Sequence, residues 1–160
     1  MAILWDPKLN TGIEVIDHQH QRIVAYINQL EVAKQNADKA MIGEVIEQLV
    51  DYTQSHFGFE EAMMEQAGYP FLKPHQKVHE LFIRRVTDFT MRAAKGEDVV
   101  DELHLMLAKW LINHIANEDR DYAKIVLRML TKDQPAPSAP VSEEKAHSGF
   151  LGGLLRKFFH

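Results

Sequence analysis

Residues His56–His79 read HFGFEEAMMEQAGYPFLKPHQKVH, with His56 and Glu60 four residues apart and His75 and His79 four apart. Four residues is a little over one helical turn, so each pair shares a helix face. Gly68, Pro70 and Pro74 lie between the pairs and break any single helix through them. The stretch therefore predicts two helices joined by a short turn. Each places groups that are costly to bury on the face that otherwise carries apolar residues.

Outward from there the helical period continues in both directions. Before the stretch, Ile16, His20, Ile23, Ile27 and Leu30 follow spacings of four and three. His18, two residues from His20 and so about 200° away, faces elsewhere. Asp38 is placed to cap the next helix, whose stripe runs Val45, Leu49, Tyr52, His56, Phe59, Met63. The third stripe is His75, His79, Phe82, Val86, Phe89, Ala93, with Pro74 suited to a first helical turn. After AKGED the fourth runs Val100, Leu103, Leu107, Trp110, His114. Four helices with short connections imply an all-α, up-down-up-down antiparallel four-helix bundle. No strand signal competes and no internal repeat is present.

The chain has 160 residues, 46% apolar and 26% charged, enough for one ordinary core, and its formal net charge of -5 disfavours nucleic acid as a partner. Without cysteine there are no disulfides or thiolate ligands, so any metal must take nitrogen and oxygen donors. The opening MAILWDPKLNTGIEVIDHQHQ has no basic region followed by an apolar one, and no run is long enough to span a bilayer. The expected location is the cytoplasm.

Residues 1–130 form the expected bundle. Residues 131–147, rich in proline, serine and alanine, read as a disordered, flexible linker, and residues 148–160 as a short amphipathic C-terminal helix or docking segment. In that extension Phe150, Leu151, Leu154, Leu155, Phe158 and Phe159 share one face, with Arg156 and Lys157 opposite. Three destinations suit it: a groove on a partner protein, an anionic membrane surface as a peripheral anchor, or the bundle itself.

Each helix contributes a histidine to its buried stripe: His20, His56, His75 with His79, and His114. One such histidine is ordinarily a core residue with hydrogen-bond partners; five on converging faces point to metal. In HIANED, His114 and Asp119 are five apart, which on a regular helix leaves roughly 140° between them. The helix is expected to bend or end near Asn117 to turn Asp119 inward. Glu61 and Glu65 lie off the stripe and are expected in solvent; Asp17, Glu118 and Asp121 read as surface or capping groups. Gly58, inside the second helix, costs about 1 kcal/mol against alanine; it either permits a close helix approach or has no role.

The motifs IDHQH, HFGFEE, HQKVH and HIANED, in this order, resemble the hemerythrin family, and within it the bacteriohemerythrins. The resemblance implies two non-haem iron ions as cofactors, His75, His79 and His114 holding one and His20 and His56 the other. Glu60 and Asp119 would bridge them together with an oxo or hydroxo group. If both irons are six-coordinate, a single position stays open, on the iron with two histidines. The family's oxygen pocket maps onto Phe57, Trp110, Leu111 and Ile115, an apolar wall that keeps water and protons out. The implied function is reversible dioxygen binding for oxygen storage, delivery or sensing, without catalysis. Alternatives are a di-iron enzyme (oxidase, peroxidase or nitric-oxide processing) and a signalling module acting through the C-terminal segment.

Overall fold

The computed structural model describes residues 2–132 and 149–159. After a short 3-10 turn at Pro7–Leu9 come α1 (Glu14–Gln35), α2 (Lys39–Gln66), α3 (Leu72–Ala94) and α4 (Val100–His114). A five-residue π turn, Ile115–Asp119, joins α4 to α5 (Arg120–Lys132), and α6 (Gly149–Phe158) follows. α1 packs on α2 and α4, and α2 on α3. With connections of only a few residues, these neighbours run antiparallel, and the helical bundle expected from the stripes is the fold. Among the described residues no helix is long and apolar enough to cross a membrane.

The turns follow from local chemistry. Asp38 caps α2 by accepting the Met41 N–H at 3.0 Å, as its position in the sequence indicates. Gly96 ends α3 in the left-handed region, φ +90°, where a side chain would be strained. Asp17 is buried rather than at the surface: its carboxylate accepts the Thr11 N–H (2.7 Å), the Thr11 hydroxyl (2.8 Å) and the Gly12 N–H (3.3 Å), fixing the entry to α1.

The core has two apolar clusters. One, with Ile27, Leu49, Phe82, Val86 and Leu107, fills the end of the bundle at the α1–α2 and α3–α4 turns. The other gathers Ile16, Phe59, Met63, Tyr122 and Val126 nearer the chain ends. On each stripe the histidines fall between or beside these clusters, so both ends of the polar centre are held by packed apolar side chains.

The last bundle helix runs two residues beyond Leu130, through Thr131 and Lys132; the rest of the expected linker lies outside the described residues. α6 lies on the bundle against α2, with Leu151 and Leu154 buried in the second cluster. Of the three destinations its apolar face allows, it takes the bundle. This also explains Gly58. A Cβ there would stand 2.6 Å from the Phe158 ring, so glycine lets the ring lie directly on the α2 backbone. Phe159 adds contacts to Tyr52 and Phe59, ring centroids 5.2 and 6.0 Å away. Gly58→Ala should therefore displace Phe158 while adding helix propensity to α2. Hydrogen exchange is expected to speed up about tenfold in α6 and to stay unchanged in α1–α4.

Candidate metal centre

α1 supplies His20, α2 His56 and Glu60, α3 His75 and His79, and the end of α4 His114; all are buried. The π turn supplies Asp119. Here the structure corrects the expected bend. The helix neither kinks nor ends; it widens by one residue, and i to i+5 bonding puts residues five apart on one face. His114 Nε2 and Asp119 Oδ1 are 3.1 Å apart as a result. The Asn117 side chain donates to the Asn113 carbonyl at 2.9 Å, within the widened turn.

The donor atoms form two groups that share Glu60. Glu60, His75, His79, His114 and Asp119 offer atoms within 4.8 Å of one another, and so do His20, His56 and Glu60. Glu60 turns Oε1 toward His56 (2.8 Å) and His20 (3.2 Å), and Oε2 toward His79 (3.5 Å) and His75 (3.8 Å). Asp119 does likewise, with Oδ1 toward His114 (3.1 Å) and His75 (3.2 Å) and Oδ2 toward His20 (3.1 Å). One oxygen of each carboxylate therefore faces each group of imidazoles. Both carboxylates could thus reach a metal ion on either side.

The ring nitrogens agree. His56 Nδ1 donates to the Gln19 carboxamide oxygen at 2.6 Å, His79 Nδ1 to Glu61 at 2.8 Å, and His114 Nδ1 pairs with Glu118. Holding the proton on Nδ1 leaves Nε2 as a lone-pair donor aimed into the centre, and a partner on Nδ1 fixes the ring. Glu61 and Glu118 are therefore not simply solvent-facing groups. Tyr122, wholly buried, donates to Glu60 Oε1 at 2.9 Å.

The electrostatics describe a site built for positive charge. Glu60 and Asp119 are 0% exposed, a placement that raises carboxyl pKa values, yet the surrounding imidazoles hold both below the usual carboxylate range. Burial works against charge on His20, His75 and His114. Their carboxylate neighbours win, raising these pKa values to about 9, about 9 and about 10. His56 goes the other way, lowered chiefly by burial. Even so, Glu60 Oε2, both Asp119 oxygens and His75 Nε2 remain buried without a hydrogen-bond partner. Buried carboxylates left so are expensive, and multivalent cations between the two groups would satisfy them. Imidazole and carboxylate donors suit iron, and also zinc, copper or manganese.

Residues 11–126 match the family model described as Hemerythrin HHE cation binding domain. The chain belongs to the hemerythrin family. It is 47% identical over 160 residues to a bacteriohemerythrin of Stenotrophomonas maltophilia, covering 99% of each chain. With a bacteriohemerythrin of Pseudomonas aeruginosa it shares 48% over 157 residues, 98% of this chain and 97% of the other. A myohemerythrin of Theromyzon tessulatum is 31% identical over 119 residues, 74% of this chain and 88% of its own. In structure, a wild-type hemerythrin crystal structure superposes with a TM-score of 0.74 at 25% identity, over 79% of this chain and 98% of that one. Hemerythrins bind dioxygen at two non-haem irons, and the donor set here fits that cofactor.

Between His20, His56, His114 and Asp119 and the apolar core lies a cavity of about 10 Å³, of the order of one water-sized sphere. Phe57, Trp110 and Leu111 line it. Ile115 is buried in the adjoining apolar cluster but is not in the cavity wall. Phe57 stacks on His79 at 3.7 Å between ring centroids and Trp110 on His114 at 4.3 Å, so the wall also holds the imidazoles in place. Ile23, Ile27, Thr53, Phe82 and Leu107, which were not anticipated, complete the wall together with His114 and Asp119. A signal existed for Tyr122: Asp119, Tyr122 and Val126 continue the buried face at spacings of three and four.

Proposed function

We propose that this hemerythrin carries dioxygen reversibly, storing or delivering it without consuming it. When bound, the two irons would supply the electrons that dioxygen binding needs. The reading assigns His75, His79 and His114 to one iron, His20 and His56 to the other, and Glu60 and Asp119 to both. What carries it is the cavity: small, walled mostly by apolar side chains, and opening on His20 and His56 of the group with fewer imidazoles as well as on His114 and Asp119. Such a wall limits water and offers no room for an organic substrate, so release is favoured over turnover.

The chain's own residues prepare this difference. His79 and His114 lean on the carboxylates of Glu61 and Glu118, whereas His56 leans on the neutral carboxamide of Gln19. A carboxylate on Nδ1 makes Nε2 the stronger donor. The iron held by three imidazoles should therefore be the tighter, and a chelator should remove the two irons in a fast and a slow phase. Glu118→Ala is expected to speed the slow phase about tenfold and leave the fast one alone.

The carrier reading is tested with an oxygen electrode, giving iron-loaded protein an excess of a mild reductant such as ascorbate. Uptake near one dioxygen per chain that then stops is the expected result. Sustained consumption would favour the di-iron enzyme instead.

A further inference from the structure

Thr53 stands one turn before His56 on α2, 2% exposed, and its hydroxyl is sealed from solvent without a hydrogen-bond partner. A threonine inside a helix ordinarily bonds back to the carbonyl four residues earlier. Thr90 does so to Val86 at 3.2 Å and Thr131 to Leu127 at 2.9 Å. Thr53 makes no such bond, and a hydroxyl buried this way destabilises the fold unless something else accepts its proton.

The cavity beside His20 and His56 is where that something would sit. Thr53 lines it with Phe57, Trp110 and Leu111 and with the polar His114 and Asp119, and is the wall's only hydroxyl among the described residues. Valine would fill the same volume at no polar cost. We propose that the Thr53 hydroxyl donates a hydrogen bond to the small ligand held in this cavity, dioxygen or a small anion such as azide. It thereby favours ligands whose outer atom accepts a hydrogen bond. This rests on the dioxygen-binding reading for the place of the ligand, and it amends the picture of a wholly apolar wall.

Two variants separate the hydroxyl from the packing: Thr53→Val keeps the shape and removes the hydroxyl, and Thr53→Ser keeps the hydroxyl. In iron-loaded protein, azide titrated against its visible absorption should bind about tenfold more weakly to Thr53→Val and near wild type to Thr53→Ser. Dioxygen should leave Thr53→Val about tenfold faster. Without metal, Thr53→Val should melt a few degrees above wild type, because the unpartnered hydroxyl is gone. If Thr53→Val loads no iron, Thr53→Ala repeats the test. Equal azide affinity and dioxygen release at equal iron content would overturn the proposal. So would a lower melting temperature of metal-free Thr53→Val, which would place the hydroxyl bond inside the protein. A wild type that binds azide but never releases dioxygen would sink the carrier reading alone, and a tenfold loss of azide affinity in Thr53→Val would still support the role of Thr53.

Discussion

Asp119→Ala is expected to leave a helical protein with less than a tenth of the wild-type iron. Among the described residues Asp119 is the one side chain within 3.2 Å of His20, His75 and His114 together, so it reaches histidines of both donor groups. Losing an outer partner of a ligand typically costs ten- to a hundred-fold in metal affinity, and losing a shared ligand should cost more. The helices should survive, because the apolar clusters on either side of the centre do not include Asp119. The three histidines it faces would lose one of the two carboxylates that raise their pKa values, Glu60 remaining. Elemental analysis together with far-ultraviolet circular dichroism checks this. Retention of both irons by Asp119→Ala would remove Asp119 from the ligand set.

Iron removal is the second large effect, and its size should depend on pH. Metal that binds only the folded chain adds about 4 kcal/mol at a thousand times its dissociation constant, on the order of 10 °C for a domain of this size. In the metal-free fold, protons on His20, His75 and His114 take the place of the cations. Their pKa values rise from 6.5 to about 9, about 9 and about 10, so the stability they contribute is full below pH 6.5 and is lost as pH climbs through 9 to 10. His56, lowered from 6.5, changes only below that value, and the depressed Glu60 and Asp119 matter only in acid. Metal-free protein should therefore melt progressively lower from pH 6.5 to 10. Iron-loaded protein should stay level over the same range, since metal holds the Nε2 atoms that protons would otherwise occupy. Parallel melting curves for the two forms would show that these imidazoles do not exchange protons for metal.

Much of this centre is legible from spacing. Histidines at four-residue intervals on apolar stripes show up because helix period and burial both constrain them, and the four stripes set the bundle. The geometry at Asp119 is less legible. A five-residue interval signals some departure from a regular helix, but a bend, a break and a π turn all satisfy it until the packing of α4 and α5 chooses. The partners of the ring nitrogens are harder still. Gln19, Glu61 and Glu118 stand beside the stripes, where an exposed side chain and one that reaches back to an imidazole have the same sequence pattern. Thr53 is silent for a different reason: an unpartnered hydroxyl is a property of three-dimensional surroundings. The seat of α6 leaves one trace in the sequence, Gly58, far from α6 along the chain. A lone glycine in a helix does not say what approaches it, and its role is visible only once Phe158 lies over it.

The most direct test of reversible oxygen carriage is to cycle reduced, iron-loaded protein between air and vacuum while recording its visible charge-transfer bands, with iron counted in the same sample. Two irons per chain and bands that appear in air, vanish under vacuum and return over repeated cycles are expected. A single irreversible passage to the ferric form, with peroxide released to solution, would contradict it.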